Sequence, residues 1–160
     1  MGKALFAAGC FWGVQHYFDQ VPGITQTTVG YTGGKTKNPN YEQVCTGKTG
    51  HAEAVLIEYS PQHVTYEELL RHFFRLHDPT QLNQQGPDVG TQYRSAIFYY
   101  NDHQEQQALA VIKLIAATHD APIVTELMAE KPFYPAEEYH QKFAQKTGRS
   151  QCHVDYQPLS

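Results

Sequence analysis

A chain of 160 residues, 41% hydrophobic and 18% charged, is long enough to bury a core without disulfide or metal staples. A formal net charge of −4 with no basic run argues against a nucleic-acid or anionic-membrane partner. No stretch reaches the ~20 apolar residues that span a bilayer, and the start lacks the charged and apolar segments of a signal peptide. The expectation is one cytoplasmic domain over residues 1–160.

In chain order, residues 3–8 are short, apolar and bounded by glycine, which reads as a buried strand. Apolar residues at 11, 14, 17 and 18 then follow a helical spacing. Cys10, within Gly9-Cys10-Phe11-Trp12-Gly13, therefore falls where a strand gives way to a helix. Unpaired backbone N–H groups and the helix dipole favour a thiolate there. Phe11 and Trp12 set two aromatic faces beside the sulfur. The alternative is a buried structural cysteine with aromatic neighbours. After a turn at 21–23, residues 24–31 read as a strand ended by Gly33-Gly34. Residues 35–50 form a long polar connection with a helical turn expected at 41–45, and connections of that length are uncommon unless functional. Residues 51–59 make the clearest strand, apolar on both faces and so expected at the centre of a sheet.

Thr65 and Glu68 form a capping box that opens a helix with Tyr66, Leu69, Leu70, Phe73 and Phe74 on one side. Asp78-Pro79 stops it. A polar loop at 81–90 leads to a strand at 93–100, and Asn101 caps a second long helix to about residue 117. Its expected apolar stripe is Leu109, Ile112, Ile115 and Ala116. A last strand is expected at 122–127, a final helix from Pro135 to about residue 145, and an irregular tail over 148–160. The order β-α-β-β-α-β, with an added helix, strand and helix, predicts an α+β fold. Its core is a ferredoxin-like split βαβ unit, a mixed sheet with helices packed on it.

Several side chains carry chemistry. Glu53 shares a strand face with Val55 and Ile57. A carboxyl facing a core keeps its proton and can donate it, unless the strand end lets it reach solvent. Tyr41 and Tyr93 lie at junctions of loops with regular elements, where a hydroxyl can hold a substrate oxygen, although packing is the commoner role of any tyrosine. Asp88 lies between Gly86 and Gly90 and reads equally as a turn aspartate. His140, on the predicted last helix, is by default a surface or packing residue. Cys152, in the tail, is a thiol able to attack an oxidised cysteine, or else an idle thiol near the terminus. Cys45 reads as a small buried apolar residue. Three cysteines without C-x-x-C and nine histidines without H-E-x-x-H predict no metal site. The set suits attack at an electrophilic centre whose oxygen leaves protonated, and both carbon and sulfur remain open.

The sequence resembles class A peptide-methionine (S)-S-oxide reductases over nearly its whole length. The matching stretches are GCFWG at 9–13, GYTGG at 30–34, NPNYEQVCTGKTGHAEAV at 38–55, HDPTQ at 77–81, GPDVGTQYRSAI at 86–97 and FYPAEEYHQ at 133–141. The resemblance implies that Cys10 attacks the sulfoxide sulfur, Glu53 protonates its oxygen, and Tyr41 and Tyr93 hold that oxygen. It implies that Phe11 and Trp12 receive the terminal methyl group, with Asp88 and His140 near the substrate backbone. It further implies reduction of the S epimer in proteins, with the free amino acid left open. A sulfenic acid on Cys10 would be followed by a Cys10–Cys152 disulfide that thioredoxin reduces, with no metal or bound cofactor. A monomer is expected. The tail departs from the Gly-Tyr-Cys context of many relatives, since Cys152 follows Gly148-Arg149-Ser150-Gln151 and no second tail cysteine is present. The competing readings are a cysteine hydrolase or acyl transferase using Cys10, which needs a histidine beside it, and a non-catalytic binding module.

Overall fold

The computed structural model describes residues 1–148. Alternation along the strands decides its layers. In β1 (Gly2–Ala8), Ala4, Phe6 and Ala8 point to one side with Val29 and Tyr31 of β2 (Ile24–Thr32) and Val55 and Ile57 of β3 (Ala52–Tyr59). Leu5 and Ala7 point to the other side with Ala52, Ala54, Ala96 and Phe98. The first side is the larger core. On it lie α1 (Phe11–Phe18) and α3 (Tyr66–Leu76), whose predicted apolar faces are all buried. Phe6 meets Phe73 with ring centroids 5.0 Å apart. Each fully buried ring of this kind contributes about 1.5–3 kcal/mol.

The short α2 (Tyr41–Cys45) stands in the connection between β2 and β3. After α3 come a two-residue hairpin, β4 (Gln84–Gln85) and β5 (Asp88–Val89), then a 3-10 turn at Thr91–Tyr93 and β6 (Ser95–Tyr99). Beyond them lie α4 (Asp102–Ala116), β7 (Glu126–Ala129), β8 (Tyr134–Pro135) and α5 (Phe143–Thr147). The main sheet runs β7-β6-β1-β3-β2-β8. Its centre, β6-β1-β3-β2, is antiparallel throughout and is the expected split βαβ core. Among the described residues only β7, beside β6, is parallel, which makes the sheet mixed.

Three elements differ from the sequence reading. The buried stripe of α4 is Gln104, Ala108 and Val111; Ile112 and Ile115 of the expected stripe pack half-buried against the core, while Leu109 and Ala116 are exposed. Gln104 faces inward because its amide donates to the Lys3 carbonyl at 2.7 Å and accepts from the Tyr100 N–H at 2.9 Å. The last strand starts later than predicted, at Glu126, because the Val124 N–H bonds the Pro79 carbonyl and not β6. The helix predicted over 135–145 is broken into β8, a 3-10 turn at Glu138–His140 and α5, with Lys142 left-handed at φ 58°. Here tertiary hydrogen bonds replace helical ones. The Ala136 N–H donates to the Val29 carbonyl, the Gln141 amide pairs with both backbone groups of Val29, and the Lys142 N–H donates to Gln15 Oε1. Gly30 permits this approach, since a side chain there would collide with the Tyr134 carbonyl and the Phe133 ring.

Register gathers one end of the sheet. Ala8 pairs with Ser95, Tyr31 with Glu53, and Tyr134 with Tyr31. The C-terminal ends of β1 and β2 and the start of β3 therefore meet, and the candidate residues collect there.

Candidate active site

The apolar run of β1 ends at Gly9, whose φ of 97° suits glycine. A β-carbon there would lie 3.0 Å from Gln85, so the β4–β5 hairpin packs directly over this turn. Cys10 is the N-cap residue of α1 and is partly exposed, the junction expected of it. No side chain caps the helix from that position. The Phe11 N–H instead donates to Glu53 Oε1 at 3.1 Å. Glu53 thus meets the helix N-terminus beside Cys10.

Glu53 is 1% exposed, so it faces the core and not solvent. Its second oxygen, Oε2, is buried with no hydrogen-bond partner among the described residues. Burial pushes its carboxyl well above the usual carboxylate range, the Cys10 and Asp88 charges push it further, and the Phe11 N–H only partly opposes them. With Oε1 accepting, the proton belongs on Oε2. Asp88, on β5, is half-buried and bears electrostatically on both Glu53 and Tyr93.

Tyr41 opens α2, and Tyr93 closes the Thr91–Tyr93 turn. Burial raises both phenols, and a charge on Glu53 raises them further, so both stay protonated. The long connection that carries Tyr41 is ordered by polar contacts. His51 Nδ1 accepts from the Gly34 N–H at 3.0 Å, and its Nε2 contacts the Thr36 carbonyl at 2.6 Å. Asn40 and Gln43 form a reciprocal capping box. Arg94 fastens the Tyr93 turn by donating to the Thr91 and Gly50 carbonyls and pairing with Glu126. Cys45, at the end of α2, is exposed, because the inward face of that one turn is Val44. The reading of Cys45 as buried is therefore corrected.

Phe11 is buried and packs on the ring of Tyr31 at 5.7 Å. Trp12 is half-buried between two neighbours. Phe143 of α5 stacks on it at 3.9 Å, and its indole N–H donates to His140 Nδ1 at 3.0 Å. His140 lies in the Glu138–His140 turn and is buried, not on a helix surface. Because Nδ1 accepts, a neutral ring carries its proton on Nε2, which is buried and unpartnered among the described residues. Burial lowers the imidazole pKa, and Glu137 partly restores it. The His140 ring lies 4.5 Å from that of Tyr41.

The fold thus brings together Cys10, Phe11, Trp12, Tyr41, Glu53, Asp88, Tyr93 and His140. Cys152 lies outside the described residues. Sequence reasoning missed Tyr31, Glu137 and Phe143. Glu137 stood in a predicted first helical turn, where an acid is ordinary, so nothing local marked it. Among the described residues no cluster of three or more His, Cys, Asp or Glu side chains could hold a metal ion. Chemically the arrangement offers a thiol, a neutral acid beside it, two phenols and an aromatic wall.

Comparison with known proteins points the same way. The family model described as peptide methionine sulfoxide reductase matches residues 2–160. The chain is 51% identical over 156 residues to the peptide methionine sulfoxide reductase MsrA of Acidobacterium capsulatum, covering 96% of this chain and 100% of that one. The crystal structure of Mxr1 from Saccharomyces cerevisiae in reduced form superposes with a TM-score of 0.91 at 36% identity, covering 97% of this chain and 91% of that one. Mxr1 in complex with Trx2 matches with a TM-score of 0.65 at 27% identity, covering 89% of this chain and 84% of that one.

Proposed function

Since the chain belongs to the peptide methionine sulfoxide reductase family, we propose that it reduces the S epimer of methionine sulfoxide to methionine, with thioredoxin as the electron donor. The observation that carries the mechanism is Glu53, a buried neutral carboxyl one hydrogen bond from the residue that follows Cys10. A sulfoxide oxygen leaves poorly unless it gains a proton, and Glu53 Oε2 supplies one. Tyr41 and Tyr93 donate hydrogen bonds to the same oxygen, which favours the sulfoxide over the thioether. Phe11 and Trp12 wall the space for the terminal methyl and exclude water. Asp88 and His140 lie beside the substrate backbone in this reading.

The Cys10 sulfur attacks the sulfoxide sulfur and an S–S bond forms, while the oxygen takes the thiol proton and the Glu53 proton and leaves as water. A water then attacks the Cys10 sulfur, returns a proton to Glu53 and breaks the S–S bond, so methionine leaves with its sulfur reduced by two electrons and Cys10 is left oxidised by two, as a sulfenic acid. The Cys152 thiol then attacks the Cys10 sulfur, water leaves, and a disulfide forms. A thioredoxin dithiol returns both thiols and is itself oxidised.

The deciding assay supplies a peptide with each separated epimer, together with thioredoxin and its reductase. Methionine forms from the S epimer alone. Turnover of the R epimer, or none of either, would overturn the reading.

A further inference from the structure

We infer that Glu137 is a positioning residue for reduction, holding the backbone of Tyr41 so that its hydroxyl meets the sulfoxide oxygen. The inference rests on the role given above to Tyr41.

Glu137 follows β8 and caps the Glu138–His140 turn. The segment before it is stitched to β2 through the Gly30–Pro135 and Tyr31–Tyr134 pairs and the bond from the Ala136 N–H to Val29. Its carboxylate therefore starts from a fixed backbone. Oε1 accepts from the Tyr31 hydroxyl at 2.9 Å. Oε2 accepts from the Tyr41 N–H at 3.1 Å and from the Tyr139 hydroxyl at 3.3 Å. Burial opposes the charge, but hydrogen bonds from its own N–H, the Tyr41 N–H and the Tyr31 hydroxyl hold the carboxyl below its ordinary range.

The Tyr41 contact matters because α2 cannot place itself. It is a single turn of five residues with one buried side chain, Val44. Helices so short have no stability of their own. The capping box satisfies the Asn40 and Gln43 N–H groups, and the Tyr41 N–H goes to Glu137. One carboxylate thus ties the residue that carries a catalytic hydroxyl to β2, the strand that pairs with Glu53. The charges that bear on Glu53 are those of Cys10 and Asp88, so Glu137 acts through geometry and not through the acid.

The test is a double-mutant cycle read by single-turnover methionine formation from an S-sulfoxide peptide, a step that needs no recycling. Glu137→Ala is expected to slow it on the order of 10- to 100-fold. Added to Tyr41→Phe, the same change should cost under about twofold, because the hydroxyl it positions is already gone. Glu137→Gln should restore most of the rate, its carbonyl accepting from the Tyr41 N–H and its NH2 donating to the Tyr31 oxygen. The pH profile of Cys10 alkylation by iodoacetamide should not move in any variant. Losses that multiply in the double variant, a parent-like rate for Glu137→Ala, or an alkylation profile shifting with the loss would overturn the proposal. Should Glu137→Ala fail to fold, the cycle with Glu137→Gln decides by the same criterion: any loss it shows must vanish beside Tyr41→Phe, and a loss that persists overturns the proposal. No methionine from the parent protein would overturn the function itself, and this role with it.

Discussion

Glu53 is neutral because its surroundings give it one backbone N–H and two nearby acidic groups, and place it out of water. That has a consequence for stability as well as for catalysis. A carboxyl whose folded pKa is raised keeps its proton after the unfolded chain, with a pKa of about 4.3, has released it. Stability is then greatest below that value and falls as pH rises toward the folded pKa. Glu53→Gln, an isostere of the protonated acid, removes this slope. The variant should melt a few degrees above the parent at pH 7, with about 2–4 °C for each kcal/mol gained, and the gap should close near pH 4. Its single-turnover rate should fall about 10²–10⁴-fold, the usual worth of a positioned acid. Calorimetry at the two pH values and one rapid-quench series check both, and a variant less stable than the parent at pH 7 would show that Glu53 is held as a charged group.

Two helices carry the same capping box and put it to different use. Thr65 and Glu68 open α3, eleven residues whose apolar face fills the main core. Asn40 and Gln43 open α2, five residues that present Tyr41. In α3 the cap adds to global stability, so Thr65→Ala should cost about 1 kcal/mol, lowering Tm by roughly 2–4 °C while leaving turnover intact. In α2 little core is at stake, and local opening is cheaper than global unfolding. Asn40→Ala should leave Tm nearly unchanged and lower the rate of methionine formation. Melting curves and single turnovers on the two variants separate the cases, and equal Tm losses would contradict the assignment. The broken 135–145 segment follows the same logic, since Gln141 and Lys142 bond to Val29 and Gln15 instead of continuing a helix.

At the scale of the whole molecule, the fold delivers eight candidate residues to one end of a mixed sheet, and the recycling role proposed for Cys152 falls on a residue outside the described ones. Mass mapping after one turnover without reductant should find a Cys10–Cys152 bridge. A Cys10–Cys45 bridge would reassign the exposed Cys45 as the recycling thiol. The sequence alone determined the strand-to-helix junction at Cys10, the buried faces of α1 and α3, the caps at Thr65 and Asn101 and the central strand order. These depend on local periodicity and capping, which act over a few neighbouring residues. The motifs also named the groups proposed to react. Only the tertiary structure decided that Glu53 spends one oxygen on the Phe11 N–H and keeps the other buried and unpartnered among the described residues, that His140 is a buried partner of Trp12, and that Glu137 joins Tyr31 to Tyr41. Those facts arise where segments 42 to 128 residues apart share one hydrogen bond. No local pattern encodes such a bond, because its partners meet only after the sheet has set their register.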